Sequence, residues 1–369
     1  MHSLVAVVVA LICSSISVAA DTPAAADGHL RQLRFSPDGQ YVLAQDDKTV
    51  TVLTARPLAV AFRIPAEDAT LADFSPDSRQ ILFVTSRTNA DSQHPAIRSS
   101  SARVERWGLA DHARAGFKEI ILPACGTERL SPDGSFLACD DLSGTFRLFE
   151  VSSGATLIEN KHFGHAVLTY ESVSSHPRVR LPDVVYDGKL GSALIVFSPG
   201  GRFLVAVPER AGDVEGLGWD LRQKRRVSLK GALRRLRWSA DLAPYFSAPP
   251  FTFVAPDRAV ISWPQAWNPK KDPTVTATLA LFPSGKALLK PKIPPGPLFR
   301  AADPGFVIVR PCAPYAAAAV EYTTGRMITS ETPALDVLGK YYVTELPNGE
   351  VGLYERGKGL QASVSLKAH

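Results

Sequence analysis

The sequence is poor in cysteine and lacks the short motifs that mark the common enzyme classes. It has four cysteines in 369 residues and no C-x-x-C pair, so a structural zinc site is not expected. It also has no G-x-S-x-G, P-loop, H-E-x-x-H or dinucleotide-binding fingerprint. These absences predict a protein with no catalytic site of those types, no metal and no cofactor.

The sequence also has few helix signals and little net charge. Proline and glycine together number 55 (29 plus 26), and no long stretch repeats its apolar residues with the helical period. Lysine and arginine exceed aspartate and glutamate by five (41 minus 36), which is too small a surplus to imply nucleic acid. The composition therefore favours an all-β protein with no nucleic-acid partner.

The first twenty residues resemble a secretory signal. Residues 4–12 form an apolar run that is too short to span a bilayer as a helix. Val18-Ala19-Ala20 resembles the small-residue cleavage site of a signal peptide. The residues before the run include no lysine or arginine, which departs from the usual pattern. We expect cleavage after Ala20, a secreted or periplasmic location, and a mature chain of residues 21–369 without a transmembrane segment.

A Ser-Pro-Asp-Gly turn between two apolar runs recurs along the chain. Serine can hydrogen-bond back to the backbone, proline fixes φ and a terminal glycine suits the exit, so each copy predicts a hairpin. The aspartate is expected to fix its own turn rather than to bind calcium. The copies are Ser36-Pro37-Asp38-Gly39, Ser75-Pro76-Asp77-Ser78, Ser131-Pro132-Asp133-Gly134 and Ser198-Pro199-Gly200-Gly201.

These turns, together with the Trp-Asp-like segment Gly218-Trp219-Asp220-Leu221, resemble the WD40-like family of bacterial β-propellers, including the TolB-type repeats. The resemblance covers residues 31–230 and fades beyond them. It implies a single propeller domain with blades of about four antiparallel strands. Seven blades fit best, with six or eight as alternatives, and residues 30–35 and 361–366 are expected to meet and close the ring. The predicted blades are 31–64, 70–122, 127–160, 192–230, 233–290, 304–330 and 334–366.

The uneven spacing of the turns predicts two insertions, at residues 86–102 and 161–191. Functional residues of repeat proteins often lie in such loops. The second insertion contains His162, His165 and His176, which could converge on a metal ion. Surface histidines are the simpler interpretation.

The densest run of positive charge lies between Arg222 and Arg237. Clustered guanidinium groups favour carboxylate or phosphate partners, whereas the plainer alternative is a solvated strand edge that resists pairing. Residues 233–237 are predicted to form a strand. The candidate binding residues are Arg225, Arg226, Arg234 and Arg235.

Cys125 and Cys139 flank the third turn. The simplest hairpin register places Cys139 opposite Thr127, which leaves the two cysteines about 7–8 Å apart on a diagonal. A disulfide needs a Cα–Cα distance of about 4.4–6.8 Å, and a bulge at Gly126 would close the gap. A disulfide with Cys312 free and a set of free thiols are both consistent with the sequence.

Three functions are consistent with these features. The first is an exported binding or scaffold module without catalysis, whose partner is a protein or an anionic envelope component. The second is a lactonase-like or quinoprotein-like propeller enzyme with a site at the central channel, and the third is a partner subunit of an enzyme or transporter. The absence of a catalytic motif favours the first.

Overall fold

The structure is a computed structural model that is all-β. It describes residues 30–67, 69–70, 72–88, 99–123, 125–141, 145–161, 194–207, 216–235, 251–262, 274–294, 298–309, 317–330, 332 and 334–366. The strands form seven antiparallel sheets of four strands each, with a short fifth strand on one of them. Among the described residues the helical segment is a 3-10 helix at Gly231–Arg235. The predicted seven-bladed propeller is therefore confirmed.

Within every blade the strands follow chain order from the first strand to the fourth. Blade 1 comprises β1 Gln32–Phe35, β2 Tyr41–Gln45, β3 Thr49–Ala55 and β4 Leu58–Pro65. Blade 2 comprises β5 Asp73–Phe74, β6 Gln80–Thr88, β7 Ser99–Gly108 and β8 Arg114–Pro123. Blade 3 comprises β9 Cys125–Leu130, β10 Phe136–Asp141, β11 Phe146–Glu150 and β12 Thr156–Asn160.

The remaining blades keep this order. Blade 4 comprises β13 Leu194–Phe197, β14 Phe203–Val207, β15 Leu217–Asp220 and β16 Arg225–Val227. Blade 5 comprises β17 Phe251–Ala255, β18 Arg258–Ser262, β19 Val275–Leu281 and β20 Ala287–Leu289, with β21 Lys292–Ile293 also pairing with β19. Blade 6 comprises β22 Leu298–Arg300, β23 Phe306–Val309, β24 Ala317–Glu321 and β25 Met327–Ser330. Blade 7 comprises β26 Leu335–Leu338, β27 Tyr341–Glu345, β28 Val351–Glu355 and β29 Gly359–Val364.

The ring is closed by apolar packing between neighbouring blades. Seven buried clusters each join one blade to the next, and one of them joins blade 7 to blade 1 through residues such as Phe35 and Val343. The backbone N–H of Phe35 donates to Asp336 Oδ2 at 2.8 Å across the same junction. Residues 30–35 and 361–366 meet in that junction cluster through their side chains, although they do not pair as strands, because β1 and β29 belong to different sheets. Each blade is thus a continuous segment, and side-chain contacts close the ring.

The repeated turns share one hydrogen-bond pattern. In the first copy, the Ser36 hydroxyl donates to Asp38 Oδ1 at 2.6 Å and accepts the N–H of Tyr41 at 2.9 Å. The second and third copies repeat both bonds, and Ser198 of the fourth accepts the N–H of Phe203. The buried serine side chain therefore links its turn to the start of the next strand through hydrogen bonds, as the sequence predicts.

Removing one of these hydroxyl groups should destabilise the protein more than its size suggests. Ser36→Ala leaves the partly buried N–H of Tyr41 without its acceptor and removes one of the two hydrogen bonds to Asp38 Oδ1, and we expect a loss of about 1–3 kcal/mol in the free energy of unfolding. Ser153→Ala, at an exposed turn of blade 3, is the matched control. Equal denaturation midpoints for the two variants would contradict the bridging role.

The two predicted insertions differ in how much of them the structure describes. Residues 86–88 belong to β6 and residues 99–102 to β7, so these parts of the first insertion extend the strands of blade 2. Residues 89–98 and 162–193, with the three histidines, lie outside the described residues. Residues 1–29 with the predicted signal lie outside them as well, as does Cys312.

Cys125 and Cys139 form a disulfide with a Cα–Cα distance of 5.6 Å. Cys139 lies opposite Glu128, one residue from the expected Thr127, because the hairpin pairs Leu130 with Leu137. The register then shifts so that Cys125 lies opposite Asp141, which leaves Gly126 as the extra residue of a bulge. The bulge brings the two cysteines within bonding distance.

The disulfide closes a loop of about 15 residues, which should stabilise the fold by about 2–3 kcal/mol. We expect Cys125→Ala/Cys139→Ala to lower the free energy of unfolding by that amount. Thiol titration of unreduced, denatured protein should detect one free thiol if residues 1–20 have been removed, and two if they are retained. A count two higher in either form would contradict the bond.

Candidate functional site

The first strands of the blades line the centre of the ring. β1 lies beside β26, β9 beside β13, and β17 beside both β13 and β22. Charged side chains stand on five of the inner strands, and those of blades 1, 2, 6 and 7 each carry one charged residue that belongs to a shared set. The set comprises Arg34, Asp73, Arg300 and Asp336. We call this set the central ion cluster.

Asp73 binds both guanidinium groups of the central ion cluster. Its Oδ1 lies 3.1 Å from Arg34 Nε, and its Oδ2 lies 3.0 Å from Arg300 Nη2. Arg34 Nη1 also donates to the backbone carbonyl of Arg300 at 3.0 Å. Blade 6 is not adjacent to blade 1 or blade 2, so these contacts cross the middle of the ring.

Asp336 is fully buried and accepts three backbone N–H groups, from Phe35, Ala302 and Val337. Burial raises the pKa of Asp336, and the nearby Arg34 charge and the three donors oppose that shift. Burial, aided by the charge of Arg34, lowers the pKa of Arg300 to about 10, although Asp73 and Asp336 act in the other direction. The opposite charges of the four groups therefore balance one another in a partly desolvated place.

The sequence carries a signal for this cluster that motif reasoning missed. The residue two positions before the turn serine is charged in the first three repeats, as Arg34, Asp73 and Arg129, and is Val196 in the fourth. Burial lowers the pKa of Arg129 and the neighbouring Glu128 opposes the shift, although solvent still reaches the Arg129 side chain. A charge on an inner strand, just before a propeller turn, marks the centre of the ring.

The predicted basic residues lie at the outer side of blade 4. β16 is the outermost strand of that blade, and five exposed cations lie on it or beside it. None of the five has an ion-pair partner among the residues that the structure describes. We call them the basic edge: Arg222, Lys224, Arg225, Arg226 and Lys230.

The expected strand at 233–237 is wrong over the part that is described. Arg234 and Arg235 belong to the 3-10 helix, and their side chains, like all of Arg237, lie outside the described residues. The helix starts at Gly231 with φ at 54°, and a Cβ on Gly285 of blade 5 would lie 1.6 Å from the carbonyl oxygen of Lys230. This close approach between blades turns the chain away from β16.

The strand that carries the basic edge is supported by contacts of the neighbouring β15, both within blade 4 and with blade 3. On the neighbouring β15, Trp219 stacks on Phe146 of blade 3 with ring centroids 5.2 Å apart. Asp220 is buried and lies 2.9 Å from Arg202 Nη2. Burial alone would raise the pKa of Asp220, but hydrogen bonds from Arg202 and from the N–H of Gln223 bring it below its usual value. The Trp-Asp-like segment is therefore a support for the edge strand.

In the described part of the chain, no three histidine, cysteine, aspartate or glutamate residues lie together as metal ligands would. No helix there is long and apolar enough to cross a membrane.

Solved structures share the fold, whereas no protein-family model and no curated protein matches the chain. Hydrazine synthase from Kuenenia stuttgartiensis aligns with a TM-score of 0.51 at 12% identity, covering 92% of this chain and 99% of that chain. The β-propeller domain of Cps50 (Swd1) from Myceliophteria thermophila aligns with a TM-score of 0.50 at 14% identity, covering 89% and 96% respectively. Similarity at such identities shows the propeller fold alone, and it agrees with the WD40-like resemblance of the turns.

Proposed function

We propose that the protein is an exported binding module without catalytic activity, and that its basic edge recognises an acidic surface of a partner protein. The observation that carries this proposal is the set of five exposed cations on one blade that lack ion-pair partners among the described residues. Their charges are available to a second molecule, whereas those of Arg34 and Arg300 are engaged inside the ring.

The chemistry of the edge suits carboxylates. Three of the five cations are arginines, whose planar guanidinium groups bind carboxylates through two parallel hydrogen bonds. Arg225 and Arg226 lie on a strand that pairs with the buried β15, so their backbone is fixed before a partner arrives. A fixed strand loses less conformational entropy on binding than a loop does.

Binding to labelled poly-L-glutamate, followed by fluorescence anisotropy, tests this function. We expect binding that weakens strongly between about 0.1 M and about 1 M salt, because the Debye length falls from about 10 Å to about 3 Å. Vesicles of anionic phospholipid serve as the comparison. Binding to the vesicles alone would overturn the choice of an acidic protein, and binding to neither probe would overturn the function of the edge.

The second candidate is a propeller enzyme with a site at the central channel. The observation that suggests it is the similarity of fold to hydrazine synthase. The central ion cluster argues against it, because Asp73 is held by two guanidinium groups and Asp336 by three backbone donors. Carboxylates engaged in this way are poorly placed to act as acid, base or nucleophile.

A further inference from the structure

The outer strand of blade 2 is built differently from the other outer strands. β8 has ten residues, whereas the outer strands of the other blades have between three and eight. The longest of those others, β4, begins directly after Pro57 and ends at Pro65, and its Arg63 donates to the carbonyl of Leu366. β8 thus offers the longest run of edge backbone groups in the described structure.

β8 also carries the two most exposed large apolar side chains among the described residues. Ile121 is 81% exposed and Phe117 is 51% exposed. They are four residues apart on a strand, so they point to the same side of the sheet with Glu119 between them. A long edge strand with exposed apolar side chains is a template for pairing with another strand.

Two cations and one carboxylate lie around Phe117 on this side of the sheet, and the carboxylate is that of Glu105, directly opposite Phe117 in the register between β7 and β8. The guanidinium carbons of Arg103 and Arg114 lie 4.7 Å and 5.2 Å from the centroid of its ring. Arg103 stands directly opposite Glu119 in the register between β7 and β8. In order along β8, the exposed face therefore presents the cation of Arg114, the ring of Phe117, the carboxylate of Glu119 and the aliphatic side chain of Ile121.

We propose that β8 pairs antiparallel with β8 of a second copy of this chain, in a two-fold dimer centred on Glu119. In this register Phe117 of each copy lies opposite Ile121 of the other. The dimer therefore contains two equivalent Phe117–Ile121 pairs, which cover the most exposed apolar side chains of both copies. Pairs of aromatic and β-branched residues across antiparallel strands are favourable. Two-fold pairing is isologous, so one self-complementary strand is sufficient.

The charges fit the same register. The two Glu119 side chains meet at the two-fold axis, where like charges would repel if they were alone. Arg103 of each copy flanks them, and Arg114 of each copy lies beside the same ring. The four guanidinium groups therefore balance four carboxylates, those of Glu119 and Glu105 in each copy, around the centre of the interface.

Sedimentation velocity of the full chain at several protein concentrations tests the proposal. We expect a reversible dimer for the wild-type protein and a monomer for Ile121→Lys, which places a charge where the aromatic ring should pack. Leu288→Lys on β20, another exposed outer strand, should remain a dimer. A monomeric wild-type protein at all concentrations, or a dimer that persists in Ile121→Lys, would overturn the proposal.

A cysteine scan tests the register separately. Glu119→Cys faces its own copy at the axis, so mild oxidation should link the copies covalently. Phe117→Cys should cross-link efficiently only when it is mixed with Ile121→Cys. Cross-linking of Phe117→Cys to itself in preference to Glu119→Cys would contradict the centre of the interface. Neither experiment involves the basic edge, so its outcome is independent of the proposed function.

Discussion

Asp73→Asn is expected to lower the free energy of unfolding by about 1.5–3 kcal/mol, because it leaves the partly exposed Arg34 and Arg300 facing one another without their shared carboxylate. Chemical denaturation followed by intrinsic fluorescence measures the loss.

Two further variants make this expectation specific. Asp47→Asn removes a carboxylate that is 84% exposed and 3.6 Å from Arg31, and it should cost less than about 1 kcal/mol. Asp73→Asn/Arg300→Met removes the surplus positive charge and should recover part of the loss. If Asp73→Asn and Asp47→Asn cost the same, the central ion cluster does not hold the ring together.

Charge reversal of the basic edge is the second large effect. Arg222, Lys224, Arg225 and Arg226 are exposed, so changing all four to glutamate should leave the denaturation midpoint nearly unchanged. If each cation contributes roughly 0.5 kcal/mol, binding to poly-L-glutamate should weaken by at least about 2 kcal/mol, or roughly thirtyfold. Fluorescence anisotropy at low salt measures the change.

The matched control carries the same change in net charge at scattered places. Lys48, Lys286, Lys290 and Arg326 are exposed on three other blades, and reversing them also takes the net charge from +5 to −3 (5 minus 8). The control should lose only the small, non-specific part of the affinity. Equal losses in the two variants would mean that net charge, and no particular surface, attracts the polyanion.

The sequence was sufficient to predict the blades because the turn chemistry is local. Ser36 and Asp38 fix their hairpin through bonds that span no more than five residues; the serine–aspartate bond recurs in the second and third copies, and the bond from a backbone N–H to the serine recurs in all of the other three. The bulge at Gly126 could also be predicted from the sequence, because without it the two cysteines of the hairpin would lie too far apart to form a disulfide. Local features of this kind can be derived from residue types and spacing.

Other features could not be derived because they depend on blades that are far apart in the chain. Asp73 and Arg300 are separated by 227 residues, and only the closed ring brings them together. The 3-10 helix at Gly231–Arg235 depends on the close approach of Gly285 from the next blade, while the sequence there reads as a basic strand. The hydrogen bond from Phe35 to Asp336 likewise cannot be predicted from the sequence, because it forms only when the closed ring makes blades 1 and 7 adjacent.

Capture of natural partners from a cell-envelope extract tests the central claim most directly. Wild-type protein, the variant reversed at the basic edge and the variant reversed at scattered sites are immobilised at equal density, and the bound proteins are identified by mass spectrometry. The account predicts acidic proteins that are retained by the wild type and by the scattered control, released by high salt, and lost from the edge variant. Retention of the same proteins by all three, at low and high salt alike, would contradict it.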